Sequence, residues 1–216
     1  MTPNPYLHFD PAETSIPKFH HLMLGAIAPR PIALASTIDN EGRPNLSPFS
    51  FFNAFGANPP IVVFSPSRRG IDNTTKNTYD NVKEVPEVVI NAVTYEMVQQ
   101  VSDSSADFPK GVNEFEMVGF TMEPSDLVKP FRVKESPVQL ECKVLQVIET
   151  GLGNAAGNLV ICEILRIHVD PAVMDENGRI DPHKIDLVGR LGGEFYVRAS
   201  GAALFELAKP KSASAV

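Results

Sequence analysis

The 216-residue sequence has no tryptophan and only two cysteines, and this scarcity argues against a disulfide-stabilised or cysteine-rich metal-binding protein. Cys142 and Cys162 both lie in apolar, strand-like runs. The sequence has no CxxC motif and no cysteine–histidine cluster with the spacing of metal ligands. We therefore predict two buried, unpaired thiols in a reducing compartment, the cytoplasm, and no metal site.

Basic residues are also in the minority. The chain has 19 lysines and arginines against 26 aspartates and glutamates, which gives a formal net charge of −7. Proteins bind nucleic acids and anionic membranes largely by neutralising phosphates with basic residues. We expect neither kind of partner, although this net charge is compatible with a local basic site.

Long uninterrupted hydrophobic runs are missing too. The longest uncharged stretch, Pro44–Ser67, holds five prolines and many polar groups, which excludes a transmembrane helix. The first residues, Met1–Tyr6, lack the positive start and apolar run of a signal peptide. Composition is otherwise ordinary, with 43% hydrophobic residues and no evident linker. The sequence predicts one domain over residues 1–216, with a surface arm at 1–15 and a disordered tail at 211–216.

The stretch from residue 28 to residue 66 is the most informative part of the chain. An apolar run of small residues, Ala28–Thr37, is followed by turn-forming residues at Asp39–Gly42 and by a second arm, Arg43–Asn53. This pattern predicts a hairpin. Pro44 and Pro48 each remove a backbone donor from the second arm, so we expect that arm to be an edge, a bulge or a wall that lines a site.

Serine, threonine and asparagine recur beside aromatic residues in this region. A third arm, Pro59–Ser65, reads as a short buried strand that ends on a hydroxyl, as the run before Thr37 does. Clustered hydroxyl and amide groups next to aromatic rings suit a flat polar heterocycle. The alternative is ordinary serine and threonine chemistry at strand ends.

A cationic segment follows the third arm. Arg68 and Arg69 lie in a turn-rich loop, and a helix is predicted from about residue 74 to residue 85, before Pro86. Its first turn carries Lys76 and Thr78. Backbone N–H groups at a helix start, with hydroxyls and a lysine, can form an anion site. The alternative is a capped helix with exposed charges.

The remaining elements are predicted from periodicity and turn signals. We expect helices at Ile16–Leu24, Tyr95–Val101, Asp181–Leu187 and Ala202–Lys209, strands at Val88–Val93, Val138–Thr150 and Asn158–Val169, and a loop-rich segment at Ser102–Pro137.

The glycine-rich segment Gly151–Gly157 is close to the dinucleotide-binding G-x-G-x-x-G pattern. Its spacing differs by one residue and a strand follows where that motif requires a helix, so we interpret it as a hairpin loop. Folding about Asn154 would place Cys142 near Arg166 and Cys162 near Gln146, which disfavours a disulfide.

Five segments, taken in order, resemble the flavin reductase-like family. They are Arg30-Pro31-Ile32-Ala33-Leu34 with Ser36-Thr37, Asn45-Leu46-Ser47-Pro48-Phe49-Ser50, Pro59-Pro60 with Ser65, Lys76-Asn77-Thr78, and Leu191-Gly192-Gly193-Glu194-Phe195-Tyr196. The resemblance covers most of the chain, from about residue 22 to residue 196, and rests on order and spacing. The family commonly shows Lys-Asp-Thr where this chain has Lys76-Asn77-Thr78, a departure that keeps the phosphate donors.

The resemblance implies a mainly β fold, an antiparallel split β-barrel of Greek-key type that binds FMN, or FAD in some members, with a few short peripheral helices. It also implies a homodimer with the flavin at or near the subunit interface. The apolar hairpin and the proline-rich N-terminal arm are both features that a partner subunit could cover.

The resemblance further implies roles for individual residues. Ser36, Thr37, Asn45, Ser47 and Ser50 would bond the polar atoms of the flavin ring and its ribityl chain. The phosphate would be held by Ser65, Arg68, Lys76 and Thr78. The flavin or the nicotinamide would be flanked by Phe49, Phe51 and Tyr196. Arg30 is either part of this site or a structural arginine at a strand start.

The implied activity is that of an NAD(P)H:FMN oxidoreductase, or of a flavoredoxin-like carrier that passes electrons to another protein or a small acceptor. In both cases the cofactor supplies the chemistry, and no side chain is assigned as a catalytic acid, base or nucleophile. Two alternatives stay open. One is a flavin-binding protein without NAD(P)H turnover, and the other is a flavoenzyme similar to pyridoxamine phosphate oxidases.

Overall fold

The computed structural model of the chain describes residues 6–210. The strands are Ala33–Ile38 (β1), Pro44–Phe49 (β2), Phe52–Ala57 (β3), Pro60–Phe64 (β4), Glu87–Asn91 (β5), Met122–Glu123 (β6), Arg132–Val133 (β7), Val138–Glu149 (β8), Asn158–Val169 (β9), Val188–Arg190 (β10) and Tyr196–Arg198 (β11). The helices are Ile16–Ala26 (α1), Asn77–Glu84 (α2), Val98–Asp103 (α3), Glu114–Val118 (α4) and Pro182–Ile185 (α5). Residues 6–15 of the predicted arm are mostly exposed, whereas residues 1–5 and the predicted tail at 211–216 lie outside the described residues.

One antiparallel sheet of seven strands dominates the structure, in the order β2-β1-β5-β8-β9-β4-β3. β1 and β2 form the predicted hairpin, in which Thr37 lies opposite Asn45. The turn between them has Gly42 at φ +79°, a backbone conformation that favours glycine. β2 is an edge strand, as its two prolines predicted, because an edge strand needs ladder hydrogen bonds on one side only.

The second arm of the hairpin is shorter than predicted. It ends at Phe49, and the chain from Phe52 onward forms β3, which pairs with β4 at the opposite edge of the sheet. Only Ser50 and Phe51 connect the two edges, although seven flat strands would separate them by roughly 30 Å. The sheet therefore curls until its edges meet, and the Phe49 and Phe64 rings lie 5.5 Å apart.

β8 and β9 form the predicted long hairpin, which lies between β5 and β4 at the centre of the sheet. The predicted register was wrong for both cysteines. Irregularities between Glu141 and Cys142, and between residues 144 and 146, shift the pairing, so that Cys142 faces Ile164 and Cys162 faces Val144. Both thiols are free and buried.

The core occupies both faces of β1, whose residues are all buried. Ala35 on one face packs in a cluster with Val82 of α2 and with both cysteines. Leu34 on the other face packs in a second cluster with Val101 of α3 and Phe115 of α4. The short helices thus cover the two faces of the sheet near its β1 and β2 end.

Three other predictions need correction. The helix expected from Tyr95 begins only at Val98, and the segment expected to be loop-rich contains α4, β6 and β7. The helix expected at Ala202–Lys209 is absent, because the chain forms one 3₁₀ turn at Gly201–Ala203 and is then irregular to residue 210. Phe205 is 86% exposed, so that segment buries no apolar face to stabilise a short helix.

The other predicted elements are confirmed with shifts of a few residues at their ends. They are α1, α2, β5, α5 and the loop between β8 and β9. Within residues 6–210, no helix has both the length and the apolar character that crossing a membrane requires.

Candidate functional site

A cleft of about 830 Å³ opens where α1, the β2–β3 connection, the β4–α2 loop and the tip of the β8–β9 hairpin meet. We call it the main cleft. Its lining residues are Ile16, Pro17, His20, Phe51, Ser67, Arg68, Arg69, Gly70, Ile71, Lys76, Ser105, Asp107, Asn154 and Ala155. Three of the predicted site residues, Phe51, Arg68 and Lys76, are among them.

The loop from residue 65 to residue 76 supplies the positive charge of the main cleft, and internal hydrogen bonds hold it in shape. Arg68 donates from Nε to Asn73 Oδ1 at 2.9 Å and from Nη2 to the Asn73 carbonyl at 2.7 Å. Arg69 pairs with Asp107 at 3.2 Å. Both guanidinium groups are therefore placed before any ligand arrives, which lowers the cost of ordering them on binding.

The glycine-rich tip of the β8–β9 hairpin anchors this cationic loop. Asn158 Nδ2 donates to the Pro66 carbonyl and Asn154 Nδ2 donates to the Gly70 carbonyl, both at 2.9 Å. The segment predicted to be a hairpin loop is one. Neither Asn154 in this loop nor Asn158 at the start of the following strand had a sequence signal for contacts with a second loop at the rim of a cleft.

Lys76 differs from the two arginines because, among the described residues, no acceptor binds its ammonium group, although Asp107 lies close enough to favour the charged form. The side chain is partly buried, and within the described part of the chain its ammonium group makes no hydrogen bond or ion pair. It lies 5.7 Å from the centre of the Phe49 ring. Burial, and then the positive charge of Arg69, hold the pKa of Lys76 below its ordinary value of 10.5. A half-buried cation without an acceptor favours binding of an anion.

Below Lys76, a buried network of polar side chains joins α2 to the first hairpin. Thr37 Oγ1 accepts hydrogen bonds from Asn45 Nδ2 at 3.3 Å and from Asn81 Nδ2 at 3.1 Å. Asn45 Nδ2 also donates to Thr78 Oγ1 at 3.0 Å. The network fixes the start of α2, at which Lys76 is the N-cap residue and no side chain caps the helix.

The twelve residues predicted to bind the cofactor do not all lie in one cavity. Some line surface pockets, and others are buried in the interior. Asn45, Ser47 and Thr78 line a small pocket beside Lys76. Ser50, Phe51 and Ser65 line an aromatic pocket of about 320 Å³ between the two edges of the sheet. Ser36 and Thr37 have no exposed surface, and Phe49 packs in the core. The individual binding roles stay predictions.

Ser50 and Tyr196 come together in a fourth cavity, of about 200 Å³, which we call the Arg190 pocket. Its lining residues are Ile32, Pro48, Ser50, Val101, Ser102, Ser105, Arg190 and Tyr196. The Arg190 guanidinium lies 4.4 Å from the centre of the Tyr196 ring. This pocket shares Ser105 with the main cleft and Ser50 with the aromatic pocket.

Arg30 has the structural role that its position at a strand start allowed, and because it also lines the aromatic pocket, its role in the site stays a prediction. It is 5% exposed, and its guanidinium donates to the carbonyls of Leu24, Ile27 and Leu191 and to Ser50 Oγ. It thereby joins the end of α1 to the β2–β3 connection. Both segments border the main cleft or the aromatic pocket.

His20 was not predicted to line the site, yet it lies in the main cleft against Phe51. The two rings meet edge to face, with their centres 6.1 Å apart. Burial is the largest cause that lowers the pKa of His20, followed by the positive charges of His21 and Arg30. The imidazole is therefore neutral at pH 7 and can donate one hydrogen bond and accept another.

Other lining residues escaped prediction because their sequence signals were weak. Ser67 and Ser105 lie in segments without periodicity, and Asn154 lies in a turn-like loop. The only signal for Ser105 was the density of serines at residues 102–105. Asp107 lies in the cleft beside Arg69, a contact between distant segments that the sequence does not reveal.

Away from the cleft, Asp126, Glu141 and His168 bring oxygen and nitrogen atoms within 4.8 Å of one another. Glu141 is fully buried and already accepts hydrogen bonds from the backbone N–H groups of Asp126 and Leu127. Asp126 pairs with Arg166 at 2.6 Å. These groups satisfy one another, and they attach the 124–127 segment to the central hairpin.

Comparison with known proteins points to one family. The sequence model of the family described as "Flavin reductase like domain" matches residues 24–183. A relative from Aquifex aeolicus (strain VF5), described as an uncharacterized protein, is 38% identical over 195 residues, which cover 90% of this chain and 97% of the relative.

Two solved structures are similar over nearly the whole chain. Nitrilotriacetate monooxygenase component B from Bacillus cereus is 29% identical, with a TM-score of 0.87, and the match covers 94% of this chain and 100% of that one. The 2-nitrobenzoate 2-nitroreductase NbaA from Pseudomonas fluorescens is 27% identical, with a TM-score of 0.84, and the match covers 97% and 99%. The predicted fold class, a mainly β split barrel with short helices, is confirmed.

Proposed function

The chain belongs to the flavin reductase-like family, and on that premise we propose that it is an FMN-dependent oxidoreductase that takes its electrons from NADH or NADPH. The FMN lies in the main cleft, with its phosphate toward Lys76 and its ring toward Phe51. The electrons leave to a small acceptor or to a second protein.

The observation that carries this proposal is the unpaired ammonium group of Lys76. Arg68 and Arg69 lie in the same cleft and already have partners, so they contribute positive potential at little further ordering cost. The uncapped start of α2 adds backbone N–H groups at the same place. A phosphate group supplies the negative charge and the acceptor oxygens that this arrangement lacks.

The rest of the main cleft suits the body of the same ligand. Its volume of about 830 Å³ lies in the upper part of the usual range for ligand pockets, about 300–1,000 Å³. Phe51 presents an aromatic ring beside the neutral imidazole of His20. Ser67, Ser105 and Asn154 add polar groups along the wall for the ribityl hydroxyls. FMN fits these features with one phosphate at one end and one flat ring at the other.

A bound flavin supplies the hydride and electron transfer chemistry itself. The residues of the chain then need only bind, orient and shield. Lys76 and the arginines hold the anionic end, Phe51 offers a flat apolar surface, and His20 holds a neutral hydrogen-bonding group at the other end. This division of labour explains why a nucleophile beside a base is not needed.

We place the partner subunit of a homodimer against the central hairpin. Five large apolar side chains on β8 and β9 are at least 36% exposed: Leu145, Ile148, Leu159, Leu165 and Ile167. Ile148 and Leu159 are direct cross-strand neighbours, so their side chains form a continuous apolar surface. Leu159 also lines the aromatic pocket, which brings this surface next to the site.

An anaerobic absorption spectrum tests the function most directly. We expect protein purified without added flavin, or reconstituted with FMN, to show flavin bands that bleach on addition of NADH or NADPH. Bands that bleach only with a chemical reductant would instead indicate an electron carrier without NAD(P)H turnover. Failure of the protein to bind added FMN in the same cuvette would overturn the proposal.

A further inference from the structure

The Arg190 pocket is a separate cavity beside the main cleft, and the cationic loop does not line it. Its walls combine the apolar side chains of Ile32, Pro48 and Val101 with the hydroxyls of Ser50, Ser102 and Ser105. A cavity of about 150 Å³ is enough to hold benzene in other proteins. At about 200 Å³, the Arg190 pocket has room for one aromatic ring with a small substituent.

Two positive charges adjoin this pocket and no carboxylate balances them. Arg30 and Arg190 are bridge partners, with Arg30 N donating to the Arg190 carbonyl at 2.9 Å. Within residues 6–210, neither guanidinium forms an ion pair with an acidic side chain. The charge of Arg190 contributes to lowering the pKa of Arg30, after burial. The local potential is therefore positive, in a protein whose net charge is −7.

The two arginines differ in how many donors they have left. Arg30 directs its guanidinium at three carbonyls and a hydroxyl. Among residues 6–210, the Arg190 guanidinium donates only from Nη2, to the Gly193 carbonyl at 3.0 Å, and its planar group is held against the Tyr196 ring. A guanidinium fixed in this way keeps an edge with further N–H donors, which matches the two oxygens of a carboxylate.

The position of the pocket indicates which ligand its occupant would lie beside. Because it shares Ser105 with the main cleft and Ser50 with the aromatic pocket, its occupant would be a neighbour of the cofactor. The phosphate of the cofactor already has Lys76 in the main cleft. The Arg190 pocket therefore suits a second ligand and not another part of the cofactor.

From this geometry we propose that the Arg190 pocket binds the carboxylate of a small planar second substrate, an aromatic monocarboxylate, with its ring beside the flavin. Arg190 receives the carboxylate, Tyr196 fixes the plane of the guanidinium, and the serine hydroxyls bond the remaining polar atoms. The proposal rests on the proposed function only in naming the flavin as the ligand beside this pocket.

Benzoate and benzamide are a matched pair of probes, because they share one ring and differ in charge. We expect benzoate to bind at least about tenfold more tightly than benzamide by isothermal titration, with FMN present, since a hydrogen bond to an ionised group contributes more than a neutral one. The Arg190→Gln variant should lose most of this preference. Arg190→Lys, which keeps the charge but not the planar fork, should retain part of it.

Arg179→Gln serves as the control, because Arg179 is an exposed arginine in a turn away from the pocket. Equal affinities for benzoate and benzamide in the unaltered protein would overturn the proposal. So would an unchanged preference in Arg190→Gln, or displacement of benzoate by FMN, which would show that the two ligands share one site. If Arg190→Gln does not fold by circular dichroism, the unaltered protein and Arg190→Lys decide the question.

The two proposals fail separately in this design. Absence of FMN binding in the unaltered protein would contradict the proposed function, yet titrating benzoate into the flavin-free protein would still test the pocket. Normal FMN binding without any preference for benzoate would contradict only the pocket.

Discussion

Two hairpins of this protein place their polar and apolar side chains in opposite ways. The first, β1–β2, carries Thr37 and Asn45, and both are buried in the network beneath α2. The second, β8–β9, carries Leu165 and Ile167, which are 43% and 53% exposed. The first hairpin buries these polar side chains, whereas the second exposes these apolar side chains to solvent.

The contrast suits the two different neighbours that we propose for these hairpins. The buried amides and hydroxyls of the first hairpin hold the start of α2, and with it Lys76, at the main cleft. The exposed aliphatic side chains of the second hairpin form a surface that a second subunit can cover. In the proposed function, the first hairpin supports ligand binding from within, whereas the second offers a surface for assembly.

The largest effect is expected from charges on the second hairpin. Burial of one large aliphatic side chain contributes about 1.5–3 kcal/mol. Leu165 and Ile167 are 43% and 53% exposed, so an interface can cover only about half of each side chain, but a lysine at either position would also bury a charge. The double change Leu165→Lys and Ile167→Lys should therefore weaken dimerisation by about 3 kcal/mol or more, over about a hundredfold in the dissociation constant. Light scattering after size-exclusion chromatography measures the change.

The control for this variant is Met117→Lys, since Met117 is 61% exposed on α4, away from the hairpin. It should leave the assembly state unchanged. A double variant with unaltered mass in solution would show that the apolar face of the second hairpin is not the subunit interface.

The next effect concerns the cation that the first hairpin supports. Lys76→Ala should weaken FMN binding by about 1.5–3 kcal/mol, the contribution of a hydrogen bond to a charged group. Riboflavin, which lacks the phosphate, should bind to the variant as it does to the unaltered protein. Fluorescence titration of both ligands gives the comparison, with Lys143→Ala, an exposed lysine of β8, as the control. Equal losses for FMN and riboflavin would remove Lys76 from the phosphate site.

The same lysine makes FMN binding depend on pH. Only the ammonium form attracts phosphate, and in the free protein the pKa of Lys76 lies below 10.5 because of burial. A phosphate monoester has lost its second proton well below pH 8, with a pKa of about 6. FMN affinity should therefore fall as pH rises from 8 toward 10, and the Lys76→Ala variant should not show this fall. Titrations at fixed ionic strength test it.

A smaller effect is expected from breaking the network inside the first hairpin. Thr37→Val removes the hydroxyl that accepts from Asn81 and leaves that buried amide without its partner, at a cost of about 1–3 kcal/mol of unfolding free energy. Ser36→Ala is the matched control, because the Ser36 hydroxyl is buried and bonds to no other group among the described residues. Urea unfolding should show a loss for the first variant and little change for the second. Equal stabilities would mean that the network contributes little.

The smallest effect concerns the two buried cysteines of the second hairpin. Burial, followed by the charge of Glu141, raises the pKa of Cys142 to about 12, and burial also raises the pKa of Cys162. Neither thiol should react with a disulfide reagent at pH 8 in the folded protein, because the thiolate is the reactive form. Both should react in denaturant. Rapid reaction of the native protein would indicate that the hairpin opens.

The sequence allowed the main strands to be predicted because their periodicity and turns are strong. The β1–β2 hairpin, the edge position of β2, the β8–β9 hairpin and the helix after the cationic loop all followed from local chemistry. The direction in which side chains face could not be predicted equally well. A hydroxyl on a strand can bond a ligand or another side chain, and Thr37 does the latter because α2 packs above it.

The missed parts depend on contacts between distant segments. Phe52–Ala57 reads as a continuation of the strand before it. Because the sheet curls, the chain passes from one edge of the sheet to the other at Ser50 and Phe51, and Phe52–Ala57 pairs with β4 at the new edge. The register between the cysteines depends on two irregularities that leave no local signature in β8. Arg190 lies in a glycine-rich segment, and its contact with the Tyr196 ring is visible only in the three-dimensional structure.

The strand order has a consequence for how the protein is made. β4 ends at Phe64, but its neighbour β9 begins only at Asn158, so the edges of the sheet leave the ribosome well before the centre. At about 5–20 residues per second, synthesis leaves the β3–β4 pair waiting roughly 5–20 s for its neighbour. During that interval β4 exposes a free edge beside unburied phenylalanines. The nascent chain is therefore most vulnerable to aggregation before the last quarter of the protein has been translated.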